Sequence, residues 1–247
     1  MGNFFNTFFT SGFVFKALVE NEASLSMPVY ATIYFGSIFL SAIIAYLLGS
    51  LNFAIIISGR RYKEDIRSHG SKNAGMTNMM RTYGKSAAGL TLLGDALKAV
   101  VACLIGYATF GLMGAYISGL FCILGHMFPI YYRFKGGKGV VTSAVTILMC
   151  NPFVFLILFI LFALIVLFTK YISLGSVMCM LLYPLILHRI NLLFGQPTPE
   201  FIYAILMTAL VVLKHKENIK RLLRGEESKF SFKKSVKTAD QANKGQE

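Results

Sequence analysis

Three polar stretches of this chain carry residue types that grip oxyanions. In "RFKGGKGVVT" (133–142), Lys138 sits among Gly136, Gly137 and Gly139. Successive glycines let backbone N–H groups converge on an anion, the lysine adds a point charge, and a helix starting there adds its positive dipole end. The stretch is not a nucleotide-binding P-loop, because Gly139 follows Lys138 where that pattern needs Ser or Thr. A flexible basic turn accounts for the same residues. In "DIRSHGSKNAGMTNMMRTYG" (65–84), Ser71, Asn73, Thr77 and Asn78 supply neutral hydrogen-bonding groups. Gly70 and Gly75 permit close backbone approach, and Arg81 offers a fork for a carboxylate or phosphate. The plain alternative is a solvated positive loop. In "KHKENIKRLLRGEESKF" (214–230), Ile219, Leu222 and Leu223 recur at helical spacing among basic residues, as in a surface helix drawn to anionic lipid. That explains the charges, but it does not call for His215, Asn218 or Glu227.

The elements that position these stretches are apolar. Hydrophobic residues make up 55% of the 247, and only 14% are charged. A soluble domain could not solvate that much apolar surface, so the chain reads as an all-α polytopic membrane protein. Membrane-length runs fall at 30–58, 87–110, 112–132, 172–194 and 200–214, and the run 140–168 is either one tilted helix or two short ones broken at Asn151-Pro152. Charge decides between them. Of 24 Lys and Arg, seven lie between Gly59 and Lys85, three in 133–138, one at Lys170 and ten from Lys214 onward. Splitting 140–168 gives about seven transmembrane helices with these basic regions on one side, the N-terminus outside and the C-terminus cytoplasmic. The net charge of +13 therefore reflects loops between spans rather than a nucleic-acid surface. Residues 1–25 form a Phe-rich, interfacial segment, 26–230 a single membrane-embedded domain, and 231–247 a basic, disordered tail. Cys103, Cys122, Cys150 and Cys179 sit singly in apolar runs, which implies neither disulfides nor a metal site.

Ionisable groups also fall inside the spans. Asp95 and Lys98 are three apart, share a helix face and can neutralise one another as an interhelical clamp. His126 is either a substrate contact or a satisfied interhelical hydrogen bond.

"GSKNAGMTNMMR" (70–81), "GDALKA" (94–99), "GHMFPIYYRFKGGKGVVT" (125–142) and "KHKENIKRLLRGEES" (214–228) together resemble the bacterial acyl-phosphate:glycerol-3-phosphate acyltransferases, the PlsY family, in order and spacing from about Ala45 to Lys229. The resemblance implies a plasma-membrane enzyme with its site on the cytoplasmic side. It would move a fatty acyl group from acyl phosphate to glycerol 3-phosphate without a cofactor or metal, supplied by an upstream enzyme that makes the acyl phosphate. It implies catalytic roles for Ser71, Arg81, Lys138, His215 and Asn218. It also implies substrate contacts from Gly136, Gly137 and Gly139 and a structural role for Glu227; the residues' own chemistry adds Asn73, Asn78, His126 and Thr142 as candidate substrate contacts and Asp95 with Lys98 as a structural pair. Departures from the family pattern are Lys72 and Ala99 for glycines, Met76 for alanine, and Asn52 for a proline, whose loss is expected to straighten the first helix. The rival class is a membrane transporter of a phosphorylated metabolite, against which stands the gathering of polar motifs on one face without an inverted repeat. A non-catalytic lipid-binding scaffold is a third class.

Overall fold

The structure, a computed structural model, describes residues 10–194 and 200–230. Phe4, Phe5, Phe8 and Phe9 and the tail 231–247 lie outside the described residues. The helices in chain order are α1 (Phe13–Glu20), α2 (Met27–Ser50), α3 (Phe53–Ile57), α4 (Met76–Tyr83), α5 (Lys85–Met127), α6 (Val140–Cys150), α7 (Pro152–Thr169), α8 (Ile172–Leu193), α9 (Glu200–Lys214) and α10 (Lys216–Leu223). Among the described residues there is no strand. Among the described residues, four helical stretches are long and apolar enough to cross a membrane: Met27–Tyr62, Lys85–Tyr132, Pro152–Thr169 and Ile172–Leu193. Their outward faces carry exposed Phe35, Phe39, Leu97, Phe159, Leu167 and Leu185, as a lipid solvent requires.

The 85–127 stretch is a hairpin of two arms. Phe110 and Gly111 leave helical geometry between them, and Gly111 has φ 56 with ψ −140, a conformation open to glycine. A Cβ on Gly106 would fall 2.2 Å from the Gly114 carbonyl oxygen, so the two arms meet backbone to backbone. Small residues serve the same end where α2 crosses α5, since Cβ atoms on Gly49 and Gly125 would each lie 2.1 Å from carbonyl oxygens of the facing helix. Without a hydrophobic drive between helices in lipid, such close contact is what holds them together. At the hairpin end, Phe15 of α1 packs on Tyr34 and Phe110. Helix α1 is therefore seated on the bundle, with Leu18 buried.

The run 140–168 is two helices, broken where Asn151 caps α7 by accepting from the Val154 amide at 3.0 Å and Pro152 takes the first turn. Helix α6 has only 11 residues, about 16 Å of rise against a hydrocarbon core of about 30 Å. The first helix is not straightened by the loss of proline. Leu51 and Asn52 are extended, and Asn52 restarts the chain as α3. Its Oδ1 accepts from the Ile55 amide at 3.2 Å, its Nδ2 donates to Ala74 O at 3.3 Å, and Leu51 O accepts from Lys98 Nζ at 2.8 Å. Side-chain bonds thus stabilise a break that a proline would impose by sterics.

Candidate functional site

Away from the hairpin, hydrogen bonds tie the basic segments together. Arg67 Nη1 donates to Tyr132 O at 2.9 Å and Lys135 O at 3.0 Å, joining the first polar segment to the glycine-rich loop. Arg81, in the last turn of α4, reaches Ser228 O at 3.4 Å, and Lys214 Nζ donates to Met127 O at 2.9 Å. The Phe230 amide donates to Lys170 O at 2.7 Å. All four basic regions of the sequence converge on one end of the bundle.

At the centre of that end, Lys138 donates to Asn218 Oδ1. The Asn218 amide is oriented from behind, since its Nδ2 donates to Glu227 Oε1 at 2.7 Å. Glu227 also accepts from Ser173 Oγ at 2.8 Å and, through Oε2, from Arg221 Nε at 2.7 Å. This chain depends on a local turn: α10 ends at Leu223 with Arg224 as its cap, Gly225 adopts φ 71, and the segment beyond it brings Glu227 back to Ser173 in the first turn of α8. Burial opposes charge on Glu227, but the donors Asn218, Arg221 and Ser173 outweigh it and hold the carboxyl below its usual range. Burial also pushes the Lys138 ammonium down to about 8, with Arg221 and Arg81 adding to the effect against the attraction of Glu227. Half-buried Lys138 with the guanidiniums of Arg81 and Arg221 nearby makes this end of the bundle a positive cluster, balanced in part by Glu227.

His215 occupies the junction of α9 and α10. It is buried, and its Nδ1 donates to Val211 O at 2.8 Å, which leaves the lone pair on Nε2. Burial lowers its pKa to about 4, so the ring is neutral and a weak base. Ser71 is exposed on the first segment. Lys72 beside it adopts φ 57, the region a glycine favours, which accounts physically for glycine at that place in the family pattern.

The fold turns several residues of the expected site inward. Asn78 is not open to a substrate: it is buried, its Oδ1 accepts from the Ser71 amide at 2.9 Å, and its Nδ2 faces the carbonyls of Ile66, His69 and Asn73 at 3.0–3.2 Å. It is the internal scaffold of the loop that carries Ser71 and Asn73. Asn78→Ala is expected to destabilise this segment by about 3 kcal/mol through orphaned buried carbonyls, checked by thermal unfolding against Asn78→Asp. Thr142 is buried too, with Oγ1 donating to Gly139 O at 2.9 Å in the first turn of α6. The amides of Gly136 and Gly137 do not point outward, because they donate to Met127 O at 3.3 Å and His126 O at 3.1 Å. They fasten the loop to the end of α5. Lys138 and its side-chain neighbours remain at the polar end, with Gly139 (φ 77) turning the chain into α6. His126 is buried under the loop rather than open to solvent.

Sequence reading passed over Asp65, Arg67, Arg221 and Ser173. Asp65 holds Arg67 by a fork at 2.7–3.0 Å, which their spacing of two could have suggested. Arg221 lay in a basic run read as lipid-facing, and Ser173 in an apolar helix; only three-dimensional proximity to Glu227 reveals either.

Comparison with known proteins agrees with this layout. Residues 39–225 match the family model described as glycerol-3-phosphate acyltransferase. The chain is 43% identical over 191 residues to the glycerol-3-phosphate acyltransferase of Finegoldia magna, covering 76% of this chain and 93% of that protein. It is 40% identical over 198 residues to that of Thermoanaerobacter pseudethanolicus, covering 80% and 98%. Among solved structures, PlsY (YgiH), an integral membrane glycerol 3-phosphate acyltransferase in its glycerol 3-phosphate form, superposes with a TM-score of 0.72 at 36% identity, covering 79% of this chain and 96% of that one. Its lysophosphatidic acid form gives 0.70 at 35% identity. With the matched region covering residues 39–225, which include Ser71, Arg81, Lys138, His215 and Asn218, the chain belongs to the glycerol-3-phosphate acyltransferase family.

Proposed function

We propose that this protein transfers a fatty acyl group from acyl phosphate to the 1-hydroxyl of sn-glycerol 3-phosphate, giving 1-acyl-sn-glycerol 3-phosphate and inorganic phosphate, the entry step of phospholipid synthesis. The observation that carries this reading is Lys138, half-buried at the meeting point of three polar segments and held by Asn218, capping an apolar bundle. One end of the site then suits phosphate and the other an alkyl chain, as both substrates demand. A related structure solved in a lysophosphatidic acid form supports this product. The enzyme would work in a bacterial plasma membrane as a single domain over 26–230 crossing about seven times, with the basic end cytoplasmic.

In the reaction, the C1 hydroxyl oxygen attacks the acyl carbonyl carbon, the carbonyl carbon–phosphate oxygen bond breaks, and phosphate leaves with the electron pair. Lys138 holds the phosphate of glycerol 3-phosphate. Arg81 and Ser71 orient the acyl phosphate and meet the charge that develops on the leaving group. A proton acceptor is still needed. His215, at about 4, is a poorer base than a phosphate oxygen, whose second pKa is about 6. The hydroxyl proton therefore goes to a substrate phosphate oxygen, and no single His→Ala change abolishes the chemical step. Single-turnover rates for His126→Ala and His215→Ala at saturating substrates check this; complete loss with binding intact would overturn it.

Because only the ammonium form attracts an anion, glycerol 3-phosphate affinity is expected to fall as pH rises through about 8, the Lys138 value. Bound phosphate would raise that value, so binding near pH 8 takes up protons, measurable by calorimetry in buffers of different ionisation heat. The donor is tested directly by offering purified protein palmitoyl phosphate or palmitoyl-CoA with glycerol 3-phosphate. Product from the phosphate alone supports the reading, and product from the thioester alone contradicts it.

A further inference from the structure

Beneath the glycine-rich loop lies a buried charged cluster that the proposed chemistry does not use. Lys98 Nζ is 2.8 Å from Asp95 Oδ1, 2.8 Å from Leu51 O and 3.0 Å from His126 Nδ1. An ammonium has donors and no acceptor, so Lys98 donates to Leu51 O and to His126 Nδ1, while Asp95 faces it as an ion pair. Nδ1 of His126 must then be an acceptor, which puts the ring proton on Nε2. The Nε2 edge faces the loop: a Cβ on Gly137 would fall 2.2 Å from Nε2 and 2.6 Å from Ala74 O. The His126 carbonyl meanwhile accepts from the Gly137 amide at 3.1 Å. His126 therefore holds Gly137 from two sides, one residue before Lys138.

The same ammonium reaches the first polar segment. Leu51 O, which it binds, precedes Asn52, and Asn52 Nδ2 donates to Ala74 O at 3.3 Å. Ala74 and Gly137 are in contact distance of one another. Both loops are thus referenced to one buried lysine in the middle of the bundle.

We infer that Asp95, Lys98 and His126 form a positioning unit that sets the register of the glycine-rich loop against the Ser71 segment, acting on glycerol 3-phosphate through Gly137 and Lys138. This rests on the reading of Lys138 as the phosphate ligand. Asp95 neutralises the ammonium so that it can be buried, Lys98 fixes the His126 tautomer, and the ring edge with its carbonyl fixes Gly137. None of the three touches substrate. A mere interhelical clamp would be felt in stability alone; a positioning unit is felt in the affinity for one substrate.

Two isosteric replacements separate the edges of the ring. Asparagine keeps an acceptor towards Lys98 but stops short of Gly137, while glutamine carries an amide N–H to the Nε2 position. In the full-length protein in detergent, His126→Asn removes the ring edge packed on Gly137 and is expected to raise KM for glycerol 3-phosphate about tenfold, about 1.4 kcal/mol, with kcat and KM for the acyl donor changed less than about threefold. His126→Gln should return KM to within about threefold of the parent. Hydrogen exchange read by mass spectrometry should show the Gly136 and Gly137 amides of His126→Asn exchanging about tenfold faster, with the 214–230 segment unchanged. Gly137→Ala, which approaches the same contact from the loop side, should give the same selective rise in KM, and it provides the reading if His126→Asn fails to fold. Equal effects on both substrates, or unmoved KM and exchange with only a lower melting temperature, would overturn the inference. If the parent protein makes no lysophosphatidate while loop exchange still responds to His126→Asn, the proposed activity fails and the positioning stands. Product formation with unaltered loop exchange and KM sinks the positioning alone.

Discussion

Replacing Lys138 with alanine is expected to lower kcat/KM for glycerol 3-phosphate about a thousandfold, mostly through KM. The argument is electrostatic. Lys138 is mostly withdrawn from water and its ammonium is held at Asn218 Oδ1, so a bound phosphate would replace lost hydration with a charge-assisted contact. Truncating one partner of such a buried, hydrogen-bonded charge pair costs about 2–5 kcal/mol, and about 4 kcal/mol corresponds to that thousandfold. Lys138→Arg is the informative companion. Arginine keeps the charge but brings a planar fork into a space shaped for a point donor, so it should recover part of the affinity and no more. Steady-state kinetics with each substrate varied in turn provides the check. A KM for glycerol 3-phosphate left unchanged in Lys138→Ala would return the 133–142 loop to a connector.

The second large effect is expected at Glu227, which touches no substrate in this account. Its two carboxylate oxygens receive Ser173, Asn218 and Arg221, and Asn218 in turn holds Lys138. Glu227→Ala leaves the buried Asn218 amide and Ser173 hydroxyl without their acceptor, which costs about 2–3 kcal/mol, while the partly exposed Arg221 guanidinium regains water. Both the melting temperature and kcat/KM should fall, the latter by about a hundredfold as Asn218 is freed to rotate. Glu227→Gln keeps the shape and one acceptor oxygen, so it should retain the fold and lose about tenfold. The sign with pH follows from the lowered carboxyl pKa. The stabilisation is present above the ordinary glutamate value and is lost as pH falls through the native one. Acid unfolding of the parent protein should therefore shift towards neutral pH in Glu227→Gln.

Much of this was legible in the residues, for identifiable reasons. Apolar runs long enough to span a membrane announce helices, and the break at Asn151-Pro152 could be read because both residues act locally, one as a cap and one as a first-turn proline. The gathering of basic segments at one end followed from their distribution along the chain. What sequence could not supply was direction. Asn78, Thr142 and the amides of Gly136 and Gly137 are of types that bind anions, yet the fold turns all of them inward to hold loops. The break at Leu51 was hidden for the opposite reason, because its cause is a lysine 47 positions away. Long-range contacts of this sort leave no periodic trace. Asp95 and Lys98 were visible as a pair at helical spacing, but the third member of their cluster, His126, lies on the opposite arm of the hairpin.

The central claim is that the polar end of this bundle, organised around Lys138, transfers an acyl group from acyl phosphate to glycerol 3-phosphate. Its most direct test is a stoichiometric assay on the purified full-length protein in detergent, given palmitoyl phosphate and glycerol 3-phosphate. Lysophosphatidate and inorganic phosphate should appear in equal amounts, and both should fall together by about a thousandfold in Lys138→Ala at subsaturating glycerol 3-phosphate. Folded parent protein that yields neither product, but carries glycerol 3-phosphate into sealed liposomes, would contradict the account and favour a transporter.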